Sequence, residues 1–349
     1  MSSAVTYAPA LPNNSVAQAM LTLRTPGRLH LGFLDPSGSL GRRFGSLGLV
    51  IEGYETALEL CAAERDAISG DTPAARAELE RAAAHLDRLR RQSGCRAPLA
   101  LRLIDVLPAH AGFGSGTQLA LAIGRAFAQW HGLTVNSATL AQWLGRGVRS
   151  GIGIAGFDEG GLLVDGGPSA DGTPAPLLSR VALPAAWRVI VVEDRTQSGL
   201  SGSRERAALA ELAPMPQAVA AEICHQVLMR VLPGAASAEF ASFATGLTRV
   251  QQLLGEHFAP AQGGSAYTSA AVGQLVQWIA EATHGAVGQS SWGPTGFVIL
   301  PSEAEADAMV DAARRAGLVT AGLALRVVRG RNRGATLIDT RAPGVRAAS

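Results

Sequence analysis

Residues 98–131 narrow the folds open to this chain more than any other stretch. LALRLIDVL after Pro98 alternates as a strand, Pro108-Ala-His110-Ala-Gly112-Phe113-Gly114-Ser115-Gly116-Thr117-Gln118 is rich in glycine, and Gln118 to His131 is apolar at helical spacing. Glycines let the backbone approach an anion closely, and a new helix brings free amides and the positive end of its dipole. Gly112, Gly114, Ser115, Gly116 and Thr117 therefore form either a phosphate or pyrophosphate cradle or a glycine-rich turn with a capping residue.

The rest of the chain supplies a framework for that unit. Leu21 to Leu34 predicts one or two short strands broken by Pro26 and Gly27, and a further strand runs through Leu47 to Glu52. Thr72, Pro73 and Gly94 bracket a helix as cap, first-turn proline and stop, and its arginines read as a solvated face. The turn cluster DGGPSADGT at Asp165 to Thr173 precedes a change of texture, which places a domain boundary near residue 180. Helices are expected at Ser203 to Leu212, Gln217 to Leu232, Glu239 to Leu254, Ser269 to Ala282 and Ser302 to Ala316, with strands at Trp187 to Val192 and Phe297 to Leu300 and others ending at Ile338. The expected fold is α+β: a loose tail over 1–20, a first domain over 21–180 and a second, built on an antiparallel sheet, over 181–345.

Three more clusters carry chemistry-bearing residues. In Thr25-Pro-Gly-Arg28-Leu-His30-Leu-Gly-Phe-Leu-Asp35, continuing to Arg42 and Arg43, an acid and two fixed cations flank a glycine turn. They belong either to one cleft or to a surface hairpin, and His30 is either catalytic or structural. Arg146, Arg149 and Ser150 lead into spaced glycines and Asp158-Glu159, which predicts a second anion loop or a wall facing the first. Gln289, Ser290, Ser291 and Trp292 form either a pocket for an aromatic ring or a tight turn around a core tryptophan.

Composition removes several chemistries. The thirty cations are all arginine, so no lysine is present to serve a Walker motif, a Schiff base or pyridoxal phosphate. A formal charge of +2 gives no cationic field for nucleic acid, and no apolar run is long and continuous enough for a membrane span. Cys61, Cys95 and Cys224 lack the spacing of a zinc site or a disulfide framework, which points to reduced thiols and a cytoplasmic protein.

PGRLHLGFLD and PAHAGFGSGTQLALA resemble the motifs of the GHMP superfamily of small-molecule kinases. RGVRSGIGIAGFDEGGLLVDGG, GLSGSRERAALAEL, AEICHQVLMRVLPG, FAPAQGGSAY and GQSSWGPTGF are more specifically similar to the β-ribofuranosylaminobenzene (or phenol) 5'-phosphate synthase family, over about Leu21 to Arg333. The resemblance implies a two-domain GHMP-kinase-like fold and a homodimer. The implied reaction condenses phosphoribosyl pyrophosphate with 4-hydroxybenzoate or 4-aminobenzoate, releasing CO2 and pyrophosphate, in methanopterin biosynthesis. An ATP-dependent GHMP kinase is the second reading. For the synthase, Asp35 is expected near the sugar, with Asp158 and Glu159 behind it. Arg28, Arg42, Arg146, Arg149 and Ser150 join the glycine loop around the phosphates, and His30 or Asp35 accepts a hydrogen bond from the ring substituent. Mg2+ is expected to arrive with the pyrophosphate, without an organic cofactor.

Overall fold

Pro26 and Gly27 do not break the opening strand. In the computed structural model, which describes residues 19–199 and 202–341, β1 runs from Met20 to Asp35 and pairs antiparallel with β2 (Phe44–Ala62). Its register shifts between Pro26 and Arg28 and again between His30 and Gly32. Such irregularities accommodate a proline that has no ladder hydrogen bond to give, and they re-aim neighbouring side chains. The affected residues here are Arg28 and His30. The expected tail falls mostly outside the described residues.

The first sheet continues from β2 to β4 (Leu99–Asp105) and then, in parallel, to β3 (Ala67–Gly70). The other half of β2 carries β5 (Leu162–Asp165) and β6 (Leu177–Val181), while β11 (Thr336–Asp339) returns from the far end of the chain to pair with β1. Thr72 caps α1 (Pro73–Ala77) by accepting from the Ala75 amide at 3.1 Å, the chain steps at Glu78 into α2 (Leu79–Ser93), and Gly94 ends it at φ 78°. α3 (Ser115–Trp130) lies against β1, β2 and α2. α4 (Ser137–Trp143) and α5 (Ile152–Asp158) follow. α5 corrects the expectation of a second glycine loop: a Cβ on Gly153 or Gly156 would stand 3.1 Å from Thr117 or 2.9 Å from Val50, so these glycines let a helix pack closely.

The second sheet is antiparallel, as expected, in the order β10 (Leu323–Val328), β7 (Arg188–Asp194), β9 (Thr295–Leu300), β8 (Ala286–Gln289). Around it lie α6 (Gly202–Glu211), α7 (Gln217–Gln226), α8 (Leu232–Ala236), α9 (Phe240–Phe258), α10 (Ala270–Ala282) and α11 (Glu303–Arg315). The run from 217 is not one regular helix, because a π-turn over Val227–Val231 precedes Pro233, whose missing N–H interrupts the α-helical ladder. One apolar cluster runs from Leu29, Leu31 and Leu47 to Phe243, Leu247 and Phe297 and includes Phe113. Phe113 is wholly buried and stacks on Tyr54 at 4.3 Å, so burial worth about 2–3 kcal/mol anchors the glycine loop from beneath. Among the described residues no helix is long and apolar enough to cross a membrane.

Candidate active site

The glycine loop ends in an open helix terminus. Gly112 and Gly114 take φ of 92° and 77°, and among the described residues no side chain caps α3. The Thr117 and Gln118 amides turn back to the Gly114 carbonyl at 3.0 and 3.1 Å, so the Ser115 and Gly116 amides precede the first helical bonds and face outward with the positive end of the dipole. Two guanidinium groups flank them. Arg28 lies against Gly114, its Cζ 3.1 Å from where a Cβ would stand, and donates through Nη1 to the Gly112 carbonyl at 2.7 Å. Arg146 places Nη1 3.4 Å from the corresponding point on Gly116. Burial lowers the Arg28 pKa to about 10, with Glu205 opposing the shift, so Arg28 remains a cation at neutral pH.

The turn between β8 and β9 joins this loop to β1. Ser290 Oγ accepts from the His30 amide at 2.9 Å and donates to the Gly112 carbonyl at 2.8 Å, while the Ser291 amide donates to the His30 carbonyl at 3.1 Å. One carbonyl, that of Gly112, thus meets both Arg28 and Ser290. The same turn walls a pocket that includes His30, Phe33, Gln251, Phe258, Ser291 and Trp292. Phe258 and Trp292 have ring centroids 4.8 Å apart, and Ser291 holds a left-handed φ of 53°, costly for a non-glycine residue.

His30 is the titratable group at the pocket wall. Its Nδ1 accepts from the Gly32 amide at 3.2 Å, which assigns the ring proton to Nε2, a buried atom with no partner among the described residues. Burial, then Arg28, then Arg149, hold the imidazole well below its usual pKa. His30 is therefore a neutral donor, in contrast to the acceptor expected from the sequence. His85 on α2 is likewise pushed down to about 4 by burial and neighbouring arginines. An unfolded histidine takes up its proton near pH 6.5. Stability is consequently full above that pH and lost as pH falls from 6.5 toward 4. Urea unfolding at pH 7 and pH 5 should show the loss, and His85→Asn should reduce it. A flat profile would contradict the burial of neutral imidazoles.

Other expected site residues serve the scaffold. Asp35 is buried, but its carboxylate accepts from the amides of Ser37 (3.2 Å), Gly38 (2.8 Å) and Leu40 (2.7 Å) and from the Ser39 hydroxyl (3.2 Å). A side chain so engaged organises its own turn instead of facing a sugar. Asp35→Ala should cost about 2 kcal/mol in denaturant unfolding, and unchanged stability would restore the catalytic reading. Arg42 is exposed and reaches Ser169 at 3.4 Å, with no contact to Asp35 among the described residues. Ser150 donates to Asp165 at 3.2 Å. Asp165 also accepts from the Gly151 and Ile152 amides at 2.7 and 3.1 Å, so the start of α5 already has its anion. Asp158 accepts from Ser137 at 2.6 Å, outside the glycine loop. Gln289 spends its side-chain amide on Thr268, Gln262 and the Ser291 carbonyl, which makes it a brace for the pocket wall.

Sequence reasoning missed two participants, Glu205 and Gln251, and placed Gln118 in the loop motif without its bonds. Glu205 of α6 pairs with Arg149 at 2.7 Å, Gln251 of α9 bridges the Leu31 carbonyl (2.6 Å) and the Gln289 amide (2.9 Å), and Gln118 links Thr25 to the Gly153 carbonyl. The only signal in the sequence was that Glu205 lies inside SGSRERAALAEL.

A strand, an open glycine loop and a helix beside an antiparallel second sheet define a protein of the GHMP kinase fold. Residues 78–161 match the GHMP kinases N terminal domain and residues 238–318 the GHMP kinases C terminal domain. Homoserine kinase from Cytophaga hutchinsonii superposes with a TM-score of 0.64 at 14% identity, over 94% of this chain and 100% of that one. Mevalonate diphosphate decarboxylase from Staphylococcus aureus does so with 0.65 at 14%, over 92% and 98%. Identity is higher with two archaeal proteins named β-ribofuranosylphenol 5'-phosphate synthase. The Archaeoglobus fulgidus protein is 34% identical over 82% of this chain and 89% of its own length, and the Methanothermobacter thermautotrophicus protein 30% identical over 66% and 75%. The chain belongs to the β-ribofuranosylphenol 5'-phosphate synthase family.

Proposed function

We propose that this enzyme joins phosphoribosyl pyrophosphate to 4-hydroxybenzoate or 4-aminobenzoate, forming a β-ribofuranosyl arene 5'-phosphate in methanopterin-type cofactor biosynthesis. The observation that carries the reading is the Ser290 Oγ bridge, which fuses the wall of an aromatic pocket to an arginine-flanked glycine loop. Breaking the C1–O bond sends its electron pair out with pyrophosphate and leaves oxocarbenium character on the ribose. Arg28, Arg146 and the Ser115 and Gly116 amides meet the charge that develops on the leaving group. The ring carbon bearing the carboxylate then bonds to C1, and the carbon–carbon bond to the carboxylate breaks. Its electrons restore the aromatic ring as CO2 departs, so the arenium cation is its own electron sink.

Neutral His30 suits the substrate carboxylate, because a full cation would hold the negative charge in place and slow its loss. Among the described residues, the side-chain oxygens near the loop include the Ser115 and Thr117 hydroxyls, Ser290 Oγ, already engaged with Gly112 and His30, and Glu205, which already serves Arg149. That sparse oxygen set fits Mg2+ carried in on phosphate oxygens and water, where it would neutralise leaving-group charge. The proposal includes a cytoplasmic homodimer acting on small molecules alone, without nucleic acid or membrane, as family likeness and the near-neutral charge support. Pyrophosphate release from phosphoribosyl pyrophosphate should require the arene as co-substrate. Phosphorylation of a small alcohol by ATP in its place would overturn the reading.

A further inference from the structure

Arg81, half-buried, and Arg88, exposed, flank a buried histidine on α2. Arg81, His85 and Arg88 recur at four- and three-residue spacing and so share one helix face, which meets the segment leading to Arg146. Arg88 Nη1 donates to the Leu144 carbonyl at 3.2 Å and lies 3.4 Å from where a Cβ on Gly145 would stand, and Arg146 reaches on to Gly116 at the head of α3. Arg81 and Arg88 thus lie close enough to act on Arg146, which alone reaches the glycine loop. Glu78 answers one of them, pairing with Arg81 at 2.9 Å.

Beneath them sits His85, 3% exposed, with both ring nitrogens buried and without a partner among the described residues. Arg146 Nε is buried in the same condition. Leaving such groups unpaired is costly, and crowding like charges adds to the cost. A bound dianion would relieve both costs. Burial, reinforced by Arg146, Arg88 and Arg81, keeps His85 neutral at pH 7, so that it can offer one N–H to such a ligand.

We propose that Arg81, Arg88 and Arg146, with His85 beneath them, form a second anion subsite that holds the 5'-phosphate of phosphoribosyl pyrophosphate. Arg28 and the glycine loop hold the pyrophosphate at the other end, and Arg146 stands between the two. The assignment rests on phosphoribosyl pyrophosphate being the ribosyl donor. Guanidinium forks match phosphate oxygens in pairs, which suits this subsite to a phosphate monoester.

Calorimetric titration separates the two ends of the substrate. Ribose 5-phosphate and magnesium pyrophosphate would each be titrated into wild type, Arg81→Gln, Arg88→Gln and Arg28→Gln, with melting temperatures confirming the fold. Arg81→Gln and Arg88→Gln should each weaken ribose 5-phosphate about tenfold or more, leave pyrophosphate within about twofold, and raise KM for phosphoribosyl pyrophosphate more than they lower kcat. Arg28→Gln should show the reverse selectivity. No ribose 5-phosphate binding by wild type, or binding unchanged in both α2 variants, would overturn the subsite. Wild type that binds ribose 5-phosphate through these arginines yet releases no CO2 from a carboxyl-labelled arene would leave the subsite standing and defeat the proposed reaction.

Discussion

Gly112→Val should reduce turnover at least a hundredfold and lower folding stability by about 2–4 kcal/mol. Gly112 has φ 92°, which a β-branched side chain resists, and its Cβ would stand 2.6 Å from the Ser290 carbonyl oxygen and 3.0 Å from Ser290 Oγ. Neither neighbour is a flexible side-chain end. Relief requires the glycine loop and the Ser290 turn to separate, which breaks the Ser290 to Gly112 bond and releases the His30 amide from the same hydroxyl. Both halves of the site then lose their alignment. Gly116→Ala is the control for folding stability alone, since its Cβ would meet only the Arg146 guanidinium at 3.4 Å. Urea unfolding together with kcat/KM would test the pair, and a Gly112→Val enzyme with near-normal turnover would contradict the shared wall.

Arg28→Gln should lower kcat/KM by about two to three orders of magnitude, the scale of losing a preorganised charge at a leaving group. Arg28 is held on both sides, its amide donating to the Phe113 carbonyl at 3.1 Å and its guanidinium to the Gly112 carbonyl. Arg28→Lys should not restore activity. An ammonium cannot hold the Gly112 carbonyl and a phosphate oxygen in the same planar fork, and burial would favour its neutral form. Pyrophosphate affinity and pre-steady-state turnover measure the effect, and unaltered pyrophosphate binding in Arg28→Gln would remove this residue from the leaving-group site.

Local signals proved legible where one segment carried the whole pattern. Thr72 and Gly94 bracket a helical run that bends only at Glu78, and Pro108 to Gln118 reads as strand exit, glycine loop and helix entry without distant help. Pairings across the chain stayed hidden. Asp35 looked catalytic because its partners are backbone amides that any residues at 37, 38 and 40 would provide, and Ser150 looked like an anion ligand until Asp165 filled the place. The α2 arginines show helical spacing in the sequence, but only the packing of 144–146 against them turns that face into a cluster. Glycine-rich 151–156 reads as a loop in the sequence alone because close helix packing and loop flexibility call for the same residue. His30 Nε2 became a donor only once the Gly32 amide was seen to occupy Nδ1.

The most direct test of the central claim is an incubation of purified protein with phosphoribosyl pyrophosphate, Mg2+ and carboxyl-labelled 4-hydroxybenzoate or 4-aminobenzoate, following labelled CO2 and pyrophosphate together. The account predicts equal release of both, dependent on both substrates, with one ring preferred. Pyrophosphate release that leaves the label on the ring, or no release from either arene, would contradict a decarboxylating ribosyl transfer at this site.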